Sequence, residues 1–212
     1  MLSKKVFDPD CKSCKRLVNY LSEVKFKYPE YHCAPVASFG DKSAQLLIVG
    51  LAPGLHGANA CGRPFTGDTS GILLYKTLFD FGFSNQTNSD SLKDGLELKN
   101  CQISNAVKCL PPNNKPTAME INQCNHFLTA EIKGLIDNAV IMVLGSIAHQ
   151  SVLKAYGLKL STTKFGHNKA YELPDGKMLI SSYHCSRYNI QTKRLTDEMF
   201  ADVFKSIRNI IN

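Results

Sequence analysis

The residues best equipped for chemistry fall into three polar stretches and one set of cysteines. Residues 50–71 read GLAPGLHGANACGRPFTGDTSG and carry six of the chain's fourteen glycines. Glycine at that density frees the backbone to approach a ligand, as in a phosphate cradle. Asp68 is the only acid in this stretch. It precedes Thr-Ser-Gly, so it suits a helix N-cap and also a carboxylate that positions water. The second stretch is Asn105 followed by KCLPPNNKP, and the third is HCSRYN, beginning at His184. An amide offers one acceptor and two donors, and an imidazole can donate a hydrogen bond at neutral pH.

The cysteines form a second constellation. Cys11 and Cys14 make a C-x-x-C pair, while Cys109 and Cys124 have fourteen residues between them. C-x-x-C turns two sulfurs toward one point, which suits a metal ion or an iron–sulfur cluster. Structural zinc sites usually carry two short-spaced pairs, and the long second spacing fits that pattern less well. On spacing alone a cluster, a zinc ion and four unconnected thiols all stay open. Cys101, inside the apolar run CQISNAV, reads as a small buried residue.

These groups need elements to hold them. Four apolar runs predict buried strands: AQLLIVG (44–50), CQISNAV (101–107), AVIMVLG (139–145) and MLISSY (178–183). Helical patterns alternate with them. One begins near Thr69 and carries Ile72, Tyr75, Leu78 and Phe79; another begins at Thr117, with Glu120 completing a capping box. The latter continues through Ile121, Phe127, Leu128, Leu135 and Ile136. A third covers Ile147 to Tyr156, and a fourth starts near Thr196 and repeats Met199, Val203, Phe204 and Ile207 along one face. Strands alternating with helices predict an α/β sandwich around a mostly parallel sheet. Ligands then bind beyond the carboxyl ends of the strands, where all three polar stretches fall. The expectation is a single domain over 1–212, in which 1–43 form an N-terminal extension, helical or irregular, carrying two of the cysteines.

Composition sets wider bounds. The chain has 212 residues and a formal charge of +7. That excess suits a nucleic-acid partner without requiring one. No apolar run is long enough to span a bilayer, so no membrane role is expected. The start, MLSKKVFDPDCKSCKR, lacks the apolar middle of a signal peptide, which predicts a protein that stays in the cytoplasm. Eight cysteines in such a compartment call for a use other than disulfides.

In combination these motifs resemble the iron–sulfur uracil-DNA glycosylases, most closely family 5. The likeness is carried by residues 50–71, by SNAVKCLPP (104–112) and by YHCSRYNIQTKRLT (183–196), and it spans nearly the whole chain. Family 4 enzymes carry Glu after the first glycine of the loop; here that position is Leu51. The resemblance implies a three-layer α/β/α sandwich with a central four-stranded, mostly parallel sheet. It implies a structural 4Fe–4S cluster on Cys11, Cys14, Cys109 and Cys124. It also implies hydrolysis of the N-glycosidic bond of uracil in DNA, initiating base excision repair.

The resemblance assigns roles to single residues. Phe65 stacks on the flipped base. Asn105 reads N3–H and O4 of uracil, and His184 donates to O2 as charge builds there. Asp68 positions water and supports the oxocarbenium-like sugar. Gly54 stands where uracil-specific relatives place Tyr, so the pocket is expected to admit hypoxanthine and xanthine as well. SRYNIQTKR (186–194) suits a wedge into the duplex, with Arg187 as the DNA contact. No lysine stands out as a Schiff-base nucleophile, so the expected enzyme is monofunctional. His56 and Asn59 receive no role. Cys61 and Cys185 depart from the family pattern, and Cys185 is expected to affect the wedge loop or its sensitivity to oxidation. The expected protein is a nucleoid-associated monomer acting on DNA; a sliding-clamp partner is not legible in the sequence. Two competing readings are a catalytically weak DNA-binding protein that kept the fold, and an iron–sulfur electron carrier.

Overall fold

A computed structural model describes residues 7–211. The first six residues of the polar N-terminal start lie outside the described residues. Helix α1 (Lys15–Lys27) is followed by a two-residue strand β1 (Phe39–Gly40), then β2 (Leu46–Gly50), α2 (Ala58–Cys61) and α3 (Thr69–Asp80). Next come β3 (Cys101–Asn105), α4 (Ala118–Lys133), β4 (Val140–Leu144), α5 (Ser146–Ala155), β5 (Lys169–Glu172), β6 (Met178–Ser182), α6 (Arg187–Gln191) and α7 (Asp197–Ile210).

The strands lie in the order β1-β3-β2-β4-β6-β5. The inner four pair in parallel, and the two edges are antiparallel. The four apolar runs are those inner strands. The sheet has six strands rather than four because the edges carry no apolar signal. Strand β1 is too short to show a period, and three of the four residues of β5 are exposed.

Strand periodicity sorts the core into two layers. Leu46 and Ile48 of β2 face α3 and α7, with Leu74, Leu78, Phe200 and Phe204. Leu47 and Val49 face α4 and α5, with Leu128, Ile132, Val152 and Leu153. Helices on both faces of a parallel sheet explain why β2, β3 and β4 are buried along their whole length. The helix starts fall where expected. Thr117 and Glu120 form the reciprocal capping box of α4, and Thr196 caps α7. One helix face differs: Leu73 and Leu74 are buried in α3, whereas Ile72 and Phe79 are exposed. The sheet surface is wide enough to take adjacent positions of α3, so its buried stripe is rotated from the one read off the spacing.

A third, smaller core sits at the side. Leu17, Leu21 and Val24 of α1, spaced at helical intervals, pack on Val107, Leu110 and Phe127. Cys11, Cys14, Cys109 and Cys124 lie within this same group. Among the described residues no helix is long and apolar enough to cross a membrane.

Candidate functional site

The polar stretches meet at the carboxyl ends of the inner strands. Gly50 ends β2, Asn105 ends β3, and His184 follows β6 by two residues. The backbone joins the first two directly, since Ala106 N–H donates to Gly50 O at 2.9 Å and Val107 N–H to Leu51 O at 2.9 Å. A Cβ on Gly50 would fall 2.5 Å from Asn105 Oδ1 and 2.8 Å from Phe65 Cζ. Only glycine lets the amide and the aromatic ring close on the same point. The Phe65 and His184 rings are stacked at 6.1 Å between centroids with 30° between planes. Phe65, Asn105 and His184 therefore share one neighbourhood.

Two atoms there are conspicuous. Asn105 Oδ1 and His184 Nδ1 are buried and have no hydrogen-bond partner. Leaving such groups unpaired costs about 1–3 kcal/mol each, so a fold that keeps them is holding them for something else. Burial pulls the His184 pKa down to about 4, which leaves the imidazole neutral at physiological pH. Asn189 fixes the backbone at this point, its Nδ2 donating to His184 O at 2.8 Å.

Asp68 divides its carboxylate between two tasks. Oδ1 accepts the Gly71 N–H at 2.9 Å and caps α3. Oδ2 faces the glycine loop, 2.9 Å from where a Cβ of Gly57 would lie and 3.7 Å from one on Gly54. Burial raises the Asp68 pKa, opposed by the N–H groups of Gly71 and Ser70. A Cβ on Gly54 would meet only that oxygen, at ordinary van der Waals distance.

Arg187 is exposed on α6, beside Tyr188, which is 69% exposed. With Ile190 and Gln191 it borders a groove whose other side is Thr69, Ile72 and Lys76 of α3. The segment 187–191 is a short helix capped by Ser186 rather than an open loop. Cys185 is fully buried and its burial pushes the thiol pKa up, which, of the two expected effects, disfavours sensitivity to oxidation. His56 accepts or donates a 2.8 Å hydrogen bond with Tyr31 OH, and the buried Asn59 keeps an unpartnered Oδ1.

Cys11, Cys14, Cys109 and Cys124 border one common cavity, closed by Leu17, Pro35 and Phe127. Burial and the neighbouring thiols push Cys109 up to about 12, and burial pushes Cys124 up to about 11. The Lys108 backbone N–H points at Cys124 Sγ, at 3.3 Å. Among the described residues no group of three or more His, Cys, Asp or Glu side chains is placed to hold a metal ion.

Spacing and motif did not single out the polar grip behind the Phe65 segment. Arg63 is 4% exposed and bonds Thr66, Ser89 and Asp94. Ser89 and Asp94 belong to NSDSLKDG, a polar loop that reads as plain solvent-exposed chain. The one available signal was an arginine beside Pro-Phe in a glycine-rich run.

Similarity to known proteins gives the class. The uracil DNA glycosylase superfamily matches residues 37–208, and the chain belongs to that superfamily. The type-5 uracil-DNA glycosylase of Thermus thermophilus is 42% identical over 94% of this chain and 93% of its own length. That of Pyrobaculum aerophilum is 41% identical over 92% of this chain and 87% of its own. The chain thus belongs with the type-5 enzymes, as the motifs implied. The crystal structure of wild-type SMUG2 from Pedobacter heparinus superimposes with a TM-score of 0.51 at 15% identity, over 90% of this chain and 85% of that one, which speaks to the fold.

Proposed function

We propose that this protein is a monofunctional DNA glycosylase that removes uracil, and with it hypoxanthine and xanthine, from DNA and so initiates base excision repair. The observation that carries the reading is the pair of buried, unpartnered atoms, Asn105 Oδ1 and His184 Nδ1, beside the Phe65 ring. A flipped uracil supplies what they lack. Its N3–H meets the Asn105 carbonyl, while cytosine has no proton there. Phe65 carries the base face. As the C1′–N1 bond breaks, its electron pair moves onto the base and charge grows on O2. A neutral His184 donates a hydrogen bond to that oxygen without itself giving up a proton. Asp68 Oδ2 orients the water that adds to C1′ and supports the positive sugar, while Oδ1 keeps α3 capped. Arg187 holds a phosphate beside the pocket.

The breadth of substrate rests on Gly54. Glycine places no side chain there, and the position a Cβ would take, in ordinary contact with Asp68 Oδ2 at 3.7 Å, is left to the larger bases. The cysteines are read as ligands of a 4Fe–4S cluster. Four thiols on one cavity, with a backbone N–H donating to one sulfur, suit that group. When bound it would supply a structural pin between the segment before α1 and helix α4. The protein is read as an intracellular monomer.

Incubation with duplexes bearing uracil, hypoxanthine or xanthine, followed by alkali, reveals abasic sites. Release of all three bases is expected, and strict uracil specificity would remove the Gly54 reading. Binding without release is what a catalytically silent DNA-binding protein would give. Asp68→Ala is expected to fold with a modest loss of thermal stability and to lose most of its excision rate. Iron and sulfide analysis of the purified protein tests the cluster.

A further inference from the structure

We propose that Arg63 is a positioning residue that aims the Phe65 ring into the base pocket, held for that task by the loop bearing Ser89 and Asp94. The inference rests on the reading of Phe65 as the stacking platform. Phe65 has φ +56°, the left-handed region, where a bulky side chain is a genuine outlier. Such a backbone persists only where its surroundings over-determine it, and strain of this kind collects at ligand clamps.

The surroundings here do over-determine it. Arg63 Nε donates to Thr66 Oγ1 at 2.8 Å, so one guanidinium ties the residues flanking the Pro64-Phe65 pair. Nη2 donates to Ser89 Oγ at 2.8 Å, and the fork closes on Asp94 through Nη1 at 3.1 Å and Nη2 at 2.5 Å. Asp94 is itself fixed by the N–H groups of Asp90, Ser91 and Leu96, at 2.9, 3.1 and 3.0 Å. Thr66 and Ser89 hydroxyls meet at 2.6 Å, and Gly67 N–H donates to Ser89 O at 3.0 Å. On the other side Tyr75 OH donates to Pro64 O at 2.7 Å. Phe39, from the edge strand β1, covers the guanidinium with its ring at 5.0 Å.

The guanidinium is held by Thr66, Ser89 and Asp94, while the Phe65 ring reaches Gly50 and stacks with His184. A lysine would keep the charge but lose the planar fork that ties three partners at once. Burial alone would not select this arrangement, because an apolar residue would fill the same space without holding Thr66, Ser89 and Asp94.

The test is a double-mutant cycle on single-turnover uracil excision, using wild type, Arg63→Lys, Phe65→Ala and the double variant, with thermal midpoints alongside. Misplacing a reacting group by about 1 Å costs on the order of 100-fold, so Arg63→Lys is expected to slow excision by that order. In the Phe65→Ala background the same change is expected to have little further effect. Affinity for undamaged duplex should stay unchanged, and inhibition by free uracil should weaken. An Arg63→Lys protein with wild-type rate overturns the proposal, as does an equal loss in both backgrounds. A Phe65→Ala protein with wild-type rate fails the stacking reading itself. If Arg63→Lys does not fold, Ser89→Ala removes one donor's partner and is judged on the same cycle, with a loss of about tenfold expected.

Discussion

Two buried polar regions lie within a few residues of each other at the end of β3 and are built on opposite terms. At the strand ends, Asn105 Oδ1 and His184 Nδ1 are covered and unpaired. Three residues on, Lys108 is 1% exposed and fully satisfied: Nζ donates to Ser104 Oγ at 2.5 Å and to both Glu131 oxygens at 2.8 Å. The second region ties β3 to α4 and has nothing left to offer a ligand. The first has donors and acceptors to spare and gives up stability to keep them. On the reading proposed above, the first region is site and the second scaffold. It also locates the cysteine cavity on the scaffold side, since Lys108 sits directly before Cys109 and its N–H points at Cys124.

That contrast makes opposite predictions for mutation. The largest effect is expected on the paired side. Lys108→Met leaves Glu131 as a lone buried charge, which should lower stability by about 3–5 kcal/mol. Adding Glu131→Leu should recover most of that loss, because the pair as a whole contributes little. Denaturant unfolding measures both. A single variant as stable as wild type would show that Glu131 reaches water, and the contrast would break.

Next in size is the unpaired side. Asn105→Ala should lower single-turnover excision by about 10²–10³-fold, the usual cost of deleting one preorganised transition-state partner. Its thermal midpoint should hold or rise, because a buried unsatisfied oxygen disappears. A variant that loses stability and keeps its rate would move Asn105 to the scaffold.

Much of this contrast was legible in the sequence, and the rest was hidden for physical reasons. The four inner strands announced themselves because burial on both faces demands continuous apolar runs. Asn105 and His184 stood out through the motifs that carry the family resemblance, since a polar residue at a strand end is by itself ordinary. The Thr117 and Asp68 caps followed from local hydrogen-bonding rules. Strand β5 did not show, because an exposed edge needs no apolar pattern. The grip on Phe65 did not show either. Arg63 and Asp94 are 31 residues apart, and nothing in NSDSLKDG marks it as the partner of a buried guanidinium. Long-range polar pairing leaves no period. The buried stripe of α3 was misplaced for a related reason, since its width depends on the sheet beneath.

Acid should separate the regions further. His184 is held neutral, with a pKa near 4 against an unfolded value of 6.5. Between those values the unfolded chain binds a proton that the native protein refuses, so this residue's contribution to stability is complete above pH 6.5 and falls away toward pH 4. The thermal midpoint should drop by a few degrees over that window. His184→Gln should flatten that part of the profile, leaving the slope from His149, whose pKa burial also lowers. An unchanged profile would mean that His184 is solvated in the free protein, and its Nδ1 would no longer count as a vacancy.

The smallest effect tests the proposed wall of the base pocket. Gly54 and Gly57 both approach Asp68 in the same loop, but from different distances. A Cβ on Gly57 would lie 2.8 Å from Asp68 Cβ, close enough to force the acid off its helix cap. Gly57→Ala should therefore cost about 1 kcal/mol or more and slow excision. A Cβ on Gly54 meets only Asp68 Oδ2, at an ordinary 3.7 Å. Gly54→Ala should stay within about 0.5 kcal/mol of wild type and keep its uracil rate. Any effect should fall on the bulkier hypoxanthine and xanthine. Equal losses from both substitutions would mean that the loop closes over Gly54 as tightly as over Gly57, and that the pocket has no spare room.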